Sequence, residues 1–114
     1  MKHNMKLNNE PYQLIKAGTK TIELRLNDEK RQLLKEKDII EFTNRITLEN
    51  MLVEVEKLYK YDSFEELYKH FDKISMGYSK DEDANPKDME KYYSKEEQNK
   101  YGVVAIKIKR VTIK

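Results

Sequence analysis

The sequence predicts a small α+β domain in which a mixed sheet curls into a barrel or a strongly curved sheet, flanked by short helices. Three observations carry that expectation. The length of 114 residues suits one hydrophobic core and is short for two, so a single domain over 1–114 is expected. Runs with the two-residue period of half-buried strands recur from residue 21 to the end. The helical stretches between them are short and do not alternate with the strands as a doubly wound parallel sheet requires.

Asn8 or Asn9 can cap a short helix beginning near Pro11, with Tyr12, Leu14 and Ile15 as its apolar stripe and Gly18 as its stop. From Thr21 to Leu26 the sequence alternates strictly, which predicts a strand with Ile22, Leu24 and Leu26 inward and Thr21, Glu23 and Arg25 outward. A helical turn follows in EKRQLLK, then a strand over 38–42 and a less regular one over 51–58. Ser63 and Glu66 have capping-box spacing, and Phe64, Leu67, Tyr68 and Phe71 behind them predict an amphipathic helix.

Residues 72–92 read as a polar, acid-rich excursion punctuated by Gly77, Asn85 and Pro86, with scattered aromatic and Met anchors. Ser94 and Glu97 repeat the capping-box spacing before Gly102 releases the chain into VVAIKIKRVTI, the longest strand candidate. There Val104, Ile106 and Ile108 share one face while Val111 and Ile113 fall on the other, so a bulge or twist is expected near Arg110.

Composition narrows the chemistry. Charged residues make up 39% of the chain, yet eight Tyr and three Phe supply a core and argue against disorder. The absence of cysteine excludes a disulfide framework, a thiolate nucleophile and a cysteine-based zinc site, and suits the cytoplasm. The basic start lacks the apolar core of a signal peptide, and no stretch approaches the length of a membrane span. His3 and His70 have no partners at a recognised ligand spacing, so no metal is expected. Three ungrouped glycines form no phosphate-cradling loop, and no cofactor is expected. Residues 101–114 carry four basic and no acidic residues, either a solvated strand face or part of a phosphate-attracting surface.

The segment that carries chemistry is GTKTIELR, from Gly18 to Arg25. Glu23 and Arg25 stand two apart on a strand and leave the same face, about 7 Å apart along the backbone. Lys20 lies just before the strand, where Gly18 gives the backbone freedom to aim it. Two cations flanking a carboxylate suit an anionic or richly hydrogen-bonding ligand: Arg offers a planar fork, Lys a mobile point charge and Glu an acceptor. The same trio can hold Glu23 ionised as a general base beside Lys20 as an electrostatic stabiliser. It can equally be a surface salt-bridge ladder worth under about 1 kcal/mol.

The string G-x-K-x-x-E-x-R, formed here by Gly18, Lys20, Glu23 and Arg25, resembles the signature of ASCH domains, small PUA-like barrels associated with RNA binding. The likeness extends to the preceding PYQLIKAG, the DEKRQ segment and the tail YYSKEEQNKYGVVAIKI, and so covers nearly the whole chain. It implies a cleft lined by Lys20, Glu23 and Arg25, with Tyr93 and Tyr101, and more weakly Tyr78, either stacking on a base or packing the late helices. One branch of ASCH proteins hydrolyses the acetyl amide of acetylated cytidine with a lysine, a threonine and a distant glutamate. Lys20 matches that lysine, but Glu23 occupies the place of the threonine.

Three functions follow as expectations. The first is a module that binds single-stranded RNA or a modified nucleoside through the Lys20, Glu23 and Arg25 cleft. The second is a small hydrolase acting on a nucleoside or RNA, with Glu23 as base and Lys20 as stabiliser. The third is a protein-interaction module that docks a partner on the acidic 72–97 region.

Overall fold

The computed structural model describes residues 1–111, so the expectations for Ile113 and Lys114 lie outside the described residues. The chain runs β1 (Lys2–Leu7), α1 (Asn9–Lys16), β2 (Ile22–Leu26), β3 (Ile39–Asn44), β4 (Asn50–Tyr61), α2 (Phe64–Leu67), α3 (Lys95–Tyr101) and β5 (Val103–Arg110). Short 3-10 helices lie at Arg31–Leu33 and Pro86–Lys91. The five strands form one strongly curled mixed sheet in the order β1-β3-β4-β5-β2. β1 and β3 are parallel and every other pairing is antiparallel.

β1 is the element that sequence reading misses. Its burial alternates perfectly, with His3, Met5 and Leu7 inside and Lys2, Asn4 and Lys6 outside. Only Met5 and Leu7 are apolar, so the two-residue period is faint until His3 is counted as an inward residue. His3 is buried because its Nε2 lies 2.9 Å from Asp38 Oδ2 at the start of β3.

Of the three capping signals, the one at Ser94 forms in full and the one at Ser63 in half, while Asn8 stands at the N-cap of α1 without a side-chain bond. Ser94 accepts from the Glu97 amide and Glu97 reaches back to the Ser94 amide, a complete box that starts α3. Ser63 accepts from the Glu66 amide to start α2. The expected amphipathic helix stops after one turn, however, because the Lys69 and His70 amides bond three residues back and tighten the chain. His70 then stacks on Tyr61 with ring centroids 4.9 Å apart, and Phe71 meets the edge of Tyr59 at 5.2 Å.

The expected bulge lies in β4 and not near Arg110. The pairing with β5 slips between Val55 and Lys57, so that Val55 opposes Ile108 while Leu58 opposes Ile106. One extra residue reverses the parity of everything beyond it. Val53 and Val55 therefore point into one core cluster, whereas Tyr59 and Tyr61, of the same parity, pack against another.

Those two clusters lie on opposite faces of the sheet. The larger collects Met5, Ile40, Phe42, Val53, Val104 and Ile106, from strands that are not all neighbours, together with Tyr12 and Ile15 of α1. Side chains of such separated strands meet only inside the curl. The second cluster gathers Ile22, Leu24, Leu26, Val103 and Ala105 beneath Phe64 and Leu67 of α2. β2 is thus covered on both faces: Ile22, Leu24 and Leu26 are buried as expected, but Glu23 and Arg25, expected outward, pair with Ile106 and Val104 and share the face of the inner cluster. Among the described residues, no helix is long and apolar enough to cross a membrane.

Candidate functional site

Gly18, at φ +85°, ends α1, and the amides of Thr19 and Lys20 both return to the carbonyl of Leu14. That turn delivers Lys20 to the interior, where it is buried and held at three points. Its Nζ donates to the carbonyls of Ile22 at 2.8 Å and Met76 at 2.7 Å, and lies 3.4 Å from Glu23 Oε1. It is a fixed strut and not the mobile point charge expected from sequence. Glu23 closes the other side by accepting from Arg25 Nε at 2.8 Å.

Arg25 carries the cluster across the opening of the curl. Its Nη2 donates to the Lys6 carbonyl on β1 at 2.9 Å. Since β1 and β2 are the two edges of the sheet, this bond joins edges that make no strand pairing. The side chains of Lys20, Glu23 and Arg25 are only 6%, 6% and 11% exposed, which removes the exposed salt-bridge ladder from consideration.

The electrostatics follow from that burial. Burial pushes the Glu23 carboxyl upward, but Arg25 and Lys20 together outweigh it and hold Glu23 below the usual range. Burial lowers the Lys20 ammonium despite the pull of Glu23. It also works against the Arg25 guanidinium, which Glu23 and the Tyr93 hydroxyl nevertheless raise. With both cations protonated, the trio carries one positive charge in excess.

A carboxylate depressed in the folded state contributes stability that is complete above its ordinary value, 4.5 for Glu23, and drains away as pH falls through the folded value. Asp38, lowered chiefly by its hydrogen bond from His3, acts in the same direction from 3.8 downward. Thermal melting scanned from about pH 7 to about pH 3 is therefore expected to show a falling Tm below about pH 4.5. Glu23→Gln flattens that part of the profile.

The trio forms the floor of a pocket of about 780 Å³. The end of β1 and the start of α1 make one wall, and residues 76–93 make the other. Gly77, at φ +108°, lies so close to the floor that an added Cβ would stand 3.1 Å from Lys20 Cδ. The acid-rich excursion is thus the pocket's second wall, anchored by Ser75, whose carbonyl takes the amides of Thr21 and Ile22 at 3.0 and 2.9 Å.

Five of the six residues singled out from sequence meet here: Lys20, Glu23, Arg25, Tyr78 and Tyr93. Tyr93 also stacks on Phe64, with centroids 5.8 Å apart. Tyr101 does not reach the pocket. Tyr101 is the last residue of the seven-residue α3, about 10 Å of helix beyond Tyr93, and instead borders a smaller pocket near Asn27 at the far end of β2. Sequence reading misses Tyr68 and Asp88, which join Tyr78 in this wall through bonds across ten residues that no local period announces.

An ASCH domain model matches residues 5–112. The chain belongs to the ASCH domain family. Its curled sheet with short flanking helices is of the PUA-like kind. Among solved structures it is similar to the hypothetical protein PH0355, with 35% identity and a TM-score of 0.82 over 97% of this chain and 100% of that one. It is also similar to protein PF0455 of Pyrococcus furiosus, with 32% identity and a TM-score of 0.71 over 99% of this chain and 100% of that one. A mutant form of ZmASCH from Zymomonas mobilis shares 13% identity at a TM-score of 0.68, over 98% of this chain and 76% of that one, a likeness of fold alone. No curated protein sequence matches the chain. Membership of the ASCH family supports, in general terms, a role in RNA binding or hydrolysis.

Proposed function

We propose that the pocket binds a splayed base of single-stranded RNA, or the corresponding modified nucleoside, without turning it over. The observation that carries this reading is the commitment of the ionic floor. The Lys20 ammonium donates to two backbone carbonyls and is ion-paired with Glu23, and each oxygen of Glu23 faces a cation. A base that must take a proton, or a lysine that must follow a developing charge, is poorly served by that arrangement. Pre-set donors and rings serve recognition well.

Arg25 uses Nε and Nη2 in the bonds described and has further N–H groups beside the Tyr93 hydroxyl. These suit a carbonyl or ring nitrogen of a base. Tyr92, 61% exposed and 6.5 Å from the Tyr93 ring, offers a stacking face at the rim. Lys6, Arg45 and Lys91 border the same opening and suit the phosphates of the strand.

Fluorescence anisotropy with short labelled single-stranded RNAs tests the reading. Arg25→Lys keeps the charge and loses the planar fork, and is expected to weaken binding about tenfold. Equal affinity in wild type and variant, or no binding by the wild type, would sink the proposal.

A further inference from the structure

The pocket floor is rich in donors, and its second wall holds an acceptor. Tyr78 Oη donates to Asp88 Oδ2 at 2.7 Å, and Tyr68 Oη lies 2.9 Å from Tyr78 Oη. Each phenol has one proton. Because Tyr78 spends its own on Asp88, Tyr68 donates to Tyr78, and the chain runs in one direction, Tyr68 to Tyr78 to Asp88. Burial and these same neighbours raise the Tyr78 phenol, so it keeps its proton and remains a donor. All three residues line the pocket.

The wall is built to hold Asp88 still. The residue lies in the first turn of the 3-10 helix Pro86–Lys91, whose start is capped by the Asn85 side chain accepting from the Lys87 amide, and the Asp88 amide returns to the Asn85 carbonyl at 2.9 Å. A carboxylate has room for about four hydrogen bonds. Tyr78 occupies one site on Oδ2, which leaves Oδ1 and the remaining lone pairs for the pocket that Asp88 lines.

We infer that Asp88 is the specificity-determining acceptor of this pocket and selects bases that present an exocyclic amine, as cytosine, adenine and guanine do, over uracil. Uracil places a carbonyl oxygen where cytosine has its amine, and two facing acceptors repel. Guanine, with adjacent ring N–H and amine donors, matches a carboxylate best. This inference rests on the base-binding reading above and names the ligand class that the reading leaves open.

The test is calorimetric titration with the 5′-monophosphates of adenosine, guanosine, cytidine and uridine. The wild type is expected to bind the three amine-bearing nucleotides about tenfold more tightly than the uridine nucleotide. Asp88→Asn is the decisive variant, because its side-chain oxygen can still accept from Tyr78 while its NH2 group stands in for Oδ1. That exchange turns an acceptor into a donor, and the preference is expected to move toward uridine, a reversal that mere loosening of the wall does not produce. Tyr78→Phe leaves Asp88 in place without its anchor and is expected to shrink the preference without reversing it, which keeps the idea testable if Asp88→Asn unfolds.

Equal affinity for all four nucleotides in the wild type, or an unchanged preference in Asp88→Asn, overturns the role of Asp88 while leaving base binding intact. No binding of any of the four overturns the base-binding reading and this inference with it.

Discussion

Glu23→Ala is expected to destabilise the folded chain by about 3–5 kcal/mol, a large share of a small domain's total. The Glu23 side chain is 6% exposed, and its carboxylate sits between Lys20 Nζ at 3.4 Å and Arg25 Nε at 2.8 Å. Removing it leaves two buried cations facing one another with no anion between them. At a solvated surface the same deletion would cost under about 1 kcal/mol. Glu23→Gln is expected to cost less, because an amide oxygen still accepts from Arg25 although the charge is gone. Urea unfolding, with the midpoint compared at constant slope, checks both. A loss of under about 1 kcal/mol for Glu23→Ala would mean that water reaches the trio and that its attractions are screened.

Gly77→Ala is expected to cost the next most, about 1–3 kcal/mol from the backbone alone. At φ +108° a side chain is strained whatever space surrounds it, and here the new Cβ also meets Lys20 Cδ at 3.1 Å. Lys20 cannot swing aside freely, since its Nζ is tied to the carbonyls of Ile22 and Met76. Gly18→Ala separates the two causes. Gly18 shares the positive φ, at +85°, but nothing lies within 4 Å of an added Cβ. Thermal unfolding should therefore place Gly77→Ala below Gly18→Ala, and hydrogen exchange should speed up across residues 73–78 only in the former. Equal losses would show that the Lys20 strut yields at no cost.

Both predictions turn on side chains of the GTKTIELR segment, Glu23 in the first and Lys20 against Gly77 in the second, and they mark how far that segment could be read in advance. The strict alternation of Ile22 to Leu26 told which side chains share a face of β2, because a strand's period is two whatever it packs against. It could not tell which face looks into the curl. That choice depends on the pairing of Glu23 with Ile106 and Arg25 with Val104, partners some eighty residues away. Alternation also misled in a specific way. A strand covered on both faces, by the inner cluster on one and by α2 and its neighbours on the other, was expected to show an apolar run, and the buried ionic trio disguised it as half-exposed.

Local chemistry determined much of the rest. The Ser63 N-cap, the capping box at Ser94, the stop at Gly18 and the release at Gly102 depend on residues within one helical turn, and each is legible without a fold. So was the gathering of Lys20, Glu23 and Arg25. What only the tertiary structure decided depends on distant chain. β1 is a strand because β3 lies parallel to it and Asp38 waits for His3. The bulge falls in β4 because Val55 and Tyr59 must serve opposite faces of one sheet. Asp88 joins the pocket because Tyr78, ten residues earlier, folds back to meet it. Short-range bonding is written in neighbouring residues, whereas which face is buried and which wall closes a pocket are set by packing between segments that the sequence keeps apart.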